Sequence, residues 1–115
     1  MVSFILFRSI INSKVLIDLR NNVWKEFYIK FSQEFPKNYQ LWNSILISNL
    51  NPKEKFNIIS KSLEEDYKNY HAWETSILIK DLKPEMSELA EYYLQKDPYN
   101  NSARNYKFII KNKFI

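Results

Sequence analysis

The sequence contains no cysteine, no glycine and a single histidine, His71. Without cysteine there is no disulfide framework, and no thiolate to bind a metal or attack a substrate. One imidazole and no thiol are too few ligands for a zinc site built by this chain alone. The lack of glycine excludes Walker and GxGxxG phosphate loops, in which glycine lets the backbone approach the phosphate. It also argues against a hairpin-rich β architecture, whose tight turns lean on glycine. A hydrolase triad has no support, since His71 is the only imidazole and no serine sits in an elbow motif. Long apolar runs are absent too. The apolar stretch Met1 to Phe7 is followed by Arg8, Asn12 and Lys14, too short for a membrane span and without a signal peptide's order of charge before apolar core. A soluble, cytoplasmic protein with no membrane insertion is the expectation.

What is present fits one packed unit. The 115 residues are 45% hydrophobic and 26% charged, a balance that supports a core rather than disorder. The net charge of +4 is unevenly placed. Basic and acidic residues number five and three in 1–35, four and four in 36–66, four and five in 67–96, and four and one in 97–115. The balanced middle offers no long basic face for a duplex, so no nucleic-acid partner is expected.

A period of 31 residues organises the chain. Pro36-Lys37-Asn38-Tyr39-Gln40-Leu41-Trp42 returns as Tyr67-Lys68-Asn69-Tyr70-His71-Ala72-Trp73, and again as Pro98-Tyr99-Asn100-Asn101-Ser102-Ala103-Arg104. Asn38, Asn69 and Asn100 fall in register, as do Trp42, Trp73 and Arg104. Phe35, Asp66 and Asp97 precede the three copies. Fixed-period self-similarity is the mark of stacked structural units. The chain therefore reads as one repeat domain, 1–115, with repeats at about 1–35, 36–66, 67–96 and 97–115.

Each repeat reads as two helices. Tyr39, Leu41, Trp42, Ile45 and Leu46 give one helical stripe over Tyr39 to Asn49. Asn51-Pro52-Lys53-Glu54 then opens a second helix, with Asn as N-cap, Pro in the first turn and Glu at the third position. Phe56, Ile58, Ile59 and Leu63 are its apolar positions. The next repeat follows the plan. Asn69 caps a helix over Tyr70 to Asp81, and Pro84 starts one running to about Lys96. A further helix spans Ser102 to about Lys113. Upstream, Val23 to Phe35 reads as a second-helix element and Ser3 to Ser13 as a first. The expected fold is all-α, a right-handed α-solenoid of antiparallel helix hairpins. The tryptophans read as core, where a large rigid ring locks one hairpin on the next. Leu46, Ile77 and Ile109 read as core with them.

The corners differ from the core. Stacked repeats place Lys37, Tyr39 and Gln40 beside Asn69, Tyr70 and His71, at helix N-termini with unpaired N–H groups and a positive dipole end. A ridge carrying an ammonium, phenols and an imidazole suits a phosphate or diphosphate. The same residues also read as cap, solvated charge and packing, and composition alone leaves both open.

PKNYQLW, DYKNYHAW and DPYNNSARN resemble successive repeats of the protein prenyltransferase α subunit, closest to the one shared by farnesyltransferase and geranylgeranyltransferase type I. Phe4 to Lys14 reads as a weak earlier repeat. The resemblance implies a helical crescent wrapped around a β subunit that holds the catalytic zinc, and magnesium where it is used, so this chain binds no cofactor of its own. It implies transfer of a farnesyl or geranylgeranyl group from prenyl diphosphate to the cysteine of a C-terminal CaaX motif, on proteins such as small GTPases. By the same resemblance, Lys37 contacts the diphosphate and Tyr70 stands near it. Both are thereby catalytic. His71 and Asn69 complete the diphosphate cluster. Gln40 recognises the peptide's terminal carboxylate, and Tyr39 lines the same face. The pattern departs elsewhere. Ile45, Ser76 and Lys107 stand where the family has Arg, Arg104 replaces the third Trp, and the repeats are shorter and fewer than the family's. A reduced subunit, or one whose open end a partner covers, is the expectation. Two other readings compete: a non-catalytic helical adaptor derived from the fold, and an RNA- or anion-binding scaffold using Arg104, Lys107, Lys111 and Lys113 with Tyr99 and Tyr106.

Overall fold

The computed structural model describes residues 14–113, and no strand occurs among them. The elements are α1 (Lys14–Glu34), α2 (Tyr39–Ile47), α3 (Pro52–Glu65), α4 (Tyr70–Leu78), a 3-10 turn (Lys80–Leu82), α5 (Lys83–Lys96) and α6 (Asn101–Lys113). The three helices opened by the repeated corner form a row, α2 against α4 and α4 against α6. Beside them α1 packs on α3, and α5 on α4 and α6. The principal extents are 58 × 32 × 21 Å, so the arrangement is elongated.

Helix starts follow local chemistry. Asn51 Oδ1 accepts from Glu54 N at 2.8 Å while Asn51 N donates to Glu54 Oε1 at 3.2 Å, a reciprocal box that satisfies two donors lacking intrahelical partners. Helix ends differ from the sequence expectation at three places. The α2 helix stops at Ile47 rather than Asn49, and Lys55 Nζ donates to Leu46 O at 2.8 Å, capping a terminal carbonyl. Partial burial of this ammonium pushes the Lys55 pKa down. The α4 helix ends at Leu78, not Asp81, and the chain turns through Lys80–Leu82. Pro84 is the cause, because in a continuous helix its ring would strike the carbonyl of residue 80. At the other end, the stretch from Lys14, the first described residue, is already helical well before Val23, and no Pro or Gly interrupts it. The expected helix Ser3 to Ser13 and the weak repeat Phe4 to Lys14 lie outside the described residues, apart from Lys14.

The core runs through all the hairpins. Trp42, Ile45, Ile58, Ile59, Leu63, Trp73, Leu82 and Met86 are buried, each 2% exposed or less. Leu46, Ile77 and Ile109 are only half-buried. The positions just before the first two, Ile45 and Ser76, are buried instead, which rotates the stripe by one residue. Tyr39 is 68% exposed and leaves the expected stripe altogether. Trp73 packs toward α5 and α6, with its ring 6.2 Å from Tyr93 and 5.6 Å from Tyr106. Arg104, the third member of the Trp series, is exposed on α6. No further described helix packs over it, so an indole there would be left facing water, where a guanidinium is well solvated.

Tyr106 carries the one buried side-chain polar atom without a partner among the described residues. Burial, helped by the Glu85 carboxylate, pushes its phenol up to about 12. A raised folded-state pKa gives stability that is full below the unfolded phenol's value and is lost as pH rises through the folded one. Stability should therefore fall between about pH 10 and 12. Tyr106→Phe removes the orphaned hydroxyl and should raise stability by about 1 kcal/mol at pH 7 and weaken that alkaline decline, as read by urea unfolding. A destabilised Phe variant would mean that the hydroxyl is satisfied after all.

Candidate functional site

The ridge is built from two turns of the same design. Residues 35–38 and 66–69 each close with a backbone bond of 3.1 Å, Asn38 N to Phe35 O and Asn69 N to Asp66 O. Pro36 occupies the second position of its turn, where a fixed φ suits the geometry. Each turn hands over to a helix through an Asn cap. Asn38 Oδ1 accepts from Leu41 N at 3.1 Å, and Asn69 Oδ1 accepts from His71 N at 3.0 Å. The N-termini of α2 and α4 thus lie on neighbouring, packed helices.

A shared carbonyl ties these corners together. Pro36 O accepts from Trp42 Nε1 at 2.8 Å and from Asn69 Nδ2 at 3.0 Å. One donor belongs to its own repeat and the other to the next. The arrangement recurs 31 residues on, where Tyr67 O accepts from Trp73 Nε1 at 2.9 Å and Asn100 Nδ2 at 3.1 Å. Both lone pairs of each carbonyl are used. Sequence reasoning saw Trp and Asn in register but not that they meet on one oxygen. The signal was there: each Trp lies six residues after the carbonyl it binds, and each Asn thirty-three after it.

The sequence-derived site residues divide into two groups. Lys37, Tyr39, Gln40 and Tyr70 are exposed, and His71 is half-buried. Tyr39 and His71 line one shallow groove between α2 and α4, of about 50 Å³, with Trp42 at its base. The rings of Tyr70 and His71 are 4.2 Å apart. Lys37 has no ion-pair partner among the described residues. Its counterpart Lys68 lies 3.7 Å from Asp97 Oδ2, which Tyr67 Oη also approaches at 3.3 Å. The first corner therefore presents a free ammonium and the second a paired one. The Gln40 side chain makes no hydrogen bond among the described residues. Asn69 stands apart from these five. It is 5% exposed, and both ends of its amide are committed to backbone groups. The structure thus brings Tyr39, Tyr70 and His71 together, ties the backbone before Lys37 to that of His71 through the buried Asn69, and leaves Gln40 exposed in the first turn of α2.

No family model, no curated protein and no solved structure matches this chain. Among the described residues no group of His, Asp and Glu is arranged to hold a metal ion, and none of the helices is long and apolar enough to cross a membrane.

The division predicts a split in stability. Lys37→Ala and Gln40→Ala should change unfolding free energy by less than about 0.5 kcal/mol, as exposed positions do. Asn69→Ala takes one of two donors from Pro36 O and leaves the His71 N–H uncapped, and should cost roughly 1–2 kcal/mol. Urea unfolding of the three variants checks this. An equal cost for Lys37→Ala would contradict its exposed, unpaired placement.

Proposed function

We propose that this chain is the α subunit of a heterodimeric protein prenyltransferase of the farnesyl or geranylgeranyl type I kind, working in the cytoplasm with a β subunit. The observation that carries the reading is the ridge. An ammonium without an ion-pair partner among the described residues, two exposed phenols, a carboxamide and an imidazole stand at the N-termini of two packed helices, with Tyr39, Tyr70 and His71 adjacent. These are the positions at which the PKNYQLW and KNYHAW resemblance assigns contacts to diphosphate and peptide. In this reading the finer architecture is a right-handed α-solenoid, supported by the row α2–α4–α6 and the elongated shape.

The groove is too shallow to enclose a prenyl diphosphate, so the chain supplies one wall and the partner the rest. One histidine and no cysteine do not fit a zinc site. Zinc, with any magnesium, belongs to the β subunit, and no step here runs through a metal of this chain. The reaction forms a carbon–sulfur bond at the substrate cysteine and breaks the carbon–oxygen bond to diphosphate. Negative charge grows on the leaving oxygens. Lys37 stabilises that charge, and a contact that strengthens with it lowers the barrier rather than merely tightening binding. Tyr70 and His71 donate to the same group. Gln40, the second residue of α2, faces the terminal carboxylate of the CaaX peptide, with Tyr39 beside it.

A second reading, a non-catalytic helical adaptor of the same fold, rests on a different observation. Val23, Trp24 and Phe27 on α1 and Phe35 just beyond it are 40–68% exposed, an apolar surface fit for a protein partner. Such a protein has no use for a free Lys37. Co-expression with the β subunit from the same genome decides between them. The proposal expects a 1:1 complex that transfers a labelled prenyl group to a CaaX peptide. In that complex Lys37→Ala should lower kcat by roughly a hundredfold while weakening prenyl diphosphate binding much less. A stable complex without transfer would favour the adaptor, and unchanged turnover in the variant would remove Lys37 from the mechanism.

A further inference from the structure

Asn69 spans the ridge. Its Nδ2 donates to Pro36 O, the carbonyl of the peptide bond immediately before Lys37. Its Oδ1 accepts from the N–H of His71. A single buried carboxamide thus connects the backbone that carries the ammonium to the backbone that carries the imidazole, across two repeats. Trp42 Nε1 holds the same Pro36 carbonyl from the other side at 2.8 Å. The peptide plane between Pro36 and Lys37 is thus held at its oxygen by two donors, and the 35–38 turn bond at 3.1 Å ties the peptides on either side of it. That plane sets the direction in which Lys37 leaves the backbone. A flexible lysine loses less freedom on binding when its root is already held.

The geometry points to Asn69 as a spacer, with Trp42 as its brace, that sets the separation of Lys37 from His71 and so matches the ridge to a diphosphate. Neither side chain touches the ligand. Asn69 is buried and its donor and acceptor are spent, and the Trp42 N–H is spent on Pro36. They are positioning residues. This rests on the proposed diphosphate site. It differs from the resemblance, which puts Asn69 in the binding cluster itself.

The repeat supplies an internal control. Asn100 makes the same donor bond, to Tyr67 O at 3.1 Å, and a cap bond one residue further along its helix, from Ala103 N at 3.1 Å, beside Lys68, whose ammonium pairs with Asp97. Asn69→Ala and Asn100→Ala therefore break equivalent clamps, of which only the first adjoins the free ammonium. Inorganic pyrophosphate is titrated into the full chain by calorimetry. Asn69→Ala should weaken binding about tenfold, the loss expected when one charged contact is misplaced. Asn100→Ala should leave affinity within about twofold. Adding Lys37→Ala to Asn69→Ala should weaken binding no further than Lys37→Ala alone, because the two act through one contact. Trp42→Phe, which keeps a smaller aromatic ring in the core and deletes one donor, serves if Asn69→Ala does not fold, and should weaken binding in the same direction. Equal losses in the Asn69 and Asn100 variants, or additive effects of Lys37 and Asn69, would overturn the spacer role.

Failure of the site itself is separable. If the wild type binds no pyrophosphate, or Lys37→Ala binds it unchanged, the diphosphate reading falls. The spacer is then judged by backbone relaxation alone. Asn69→Ala should lower the order parameter of the Lys37 amide and not that of Lys68, with Asn100→Ala doing the reverse. No change at Lys37 would overturn the spacer as well.

Discussion

A carbonyl oxygen that receives two side-chain donors, one from its own repeat and one from the next, is the contact on which this structure depends. Pro36 O and Tyr67 O each take an indole N–H and a carboxamide N–H, at 2.8 to 3.1 Å. Hydrophobic burial joins the hairpins but does not choose their register, because apolar contact is non-directional. The clamp does choose it. A slip of one residue would strand a buried carbonyl and a buried carboxamide together, at a cost of several kcal/mol. The 31-residue period of the sequence is the imprint of that requirement.

The clamp also explains why the ridge is polar and open. Its donors come from buried side chains, so the residues between them are released from structural duty. Lys37, Tyr39 and Gln40 lie between the clamped carbonyl and the buried Trp42, and all three are exposed. The second corner uses its freedom differently. Asp97 draws in Lys68 and the Tyr67 hydroxyl, so two neighbouring repeats of one design present different chemistry to solvent. On α6, Lys107 pairs with Glu91 and Arg104 faces water, which fits a helix with no described neighbour on that side. The basic residues there read as solvated surface.

Much of the fold was legible because its cues are local. The capping box at Asn51, the Asn caps at 38 and 69 and the prolines at 52 and 84 fix where helices begin, and those starts stand. The ends were less legible. The helices end at Ile47 and Leu78, two and three residues earlier than the periodicity indicates, and nothing at those positions in the sequence marks the stops. Burial was misjudged by one position at Leu46 and Ile77, where periodicity gives a face but not its centre. Of the site, the grouping of Lys37, Tyr39, Gln40, Tyr70 and His71 came from the period. What the sequence could not reveal is that Asn69 is enclosed, since burial depends on the neighbouring turn and not on the motif.

The claim at the centre is that two clamped corners form one anion site. The direct measurement is amide chemical-shift mapping of the full chain titrated with inorganic pyrophosphate. The account predicts the largest shifts at residues 37–41 and 70–72, at the N-termini of α2 and α4, saturating together with one dissociation constant. Shifts concentrated instead on the lysines of α6, or spread evenly over all lysines, would contradict it.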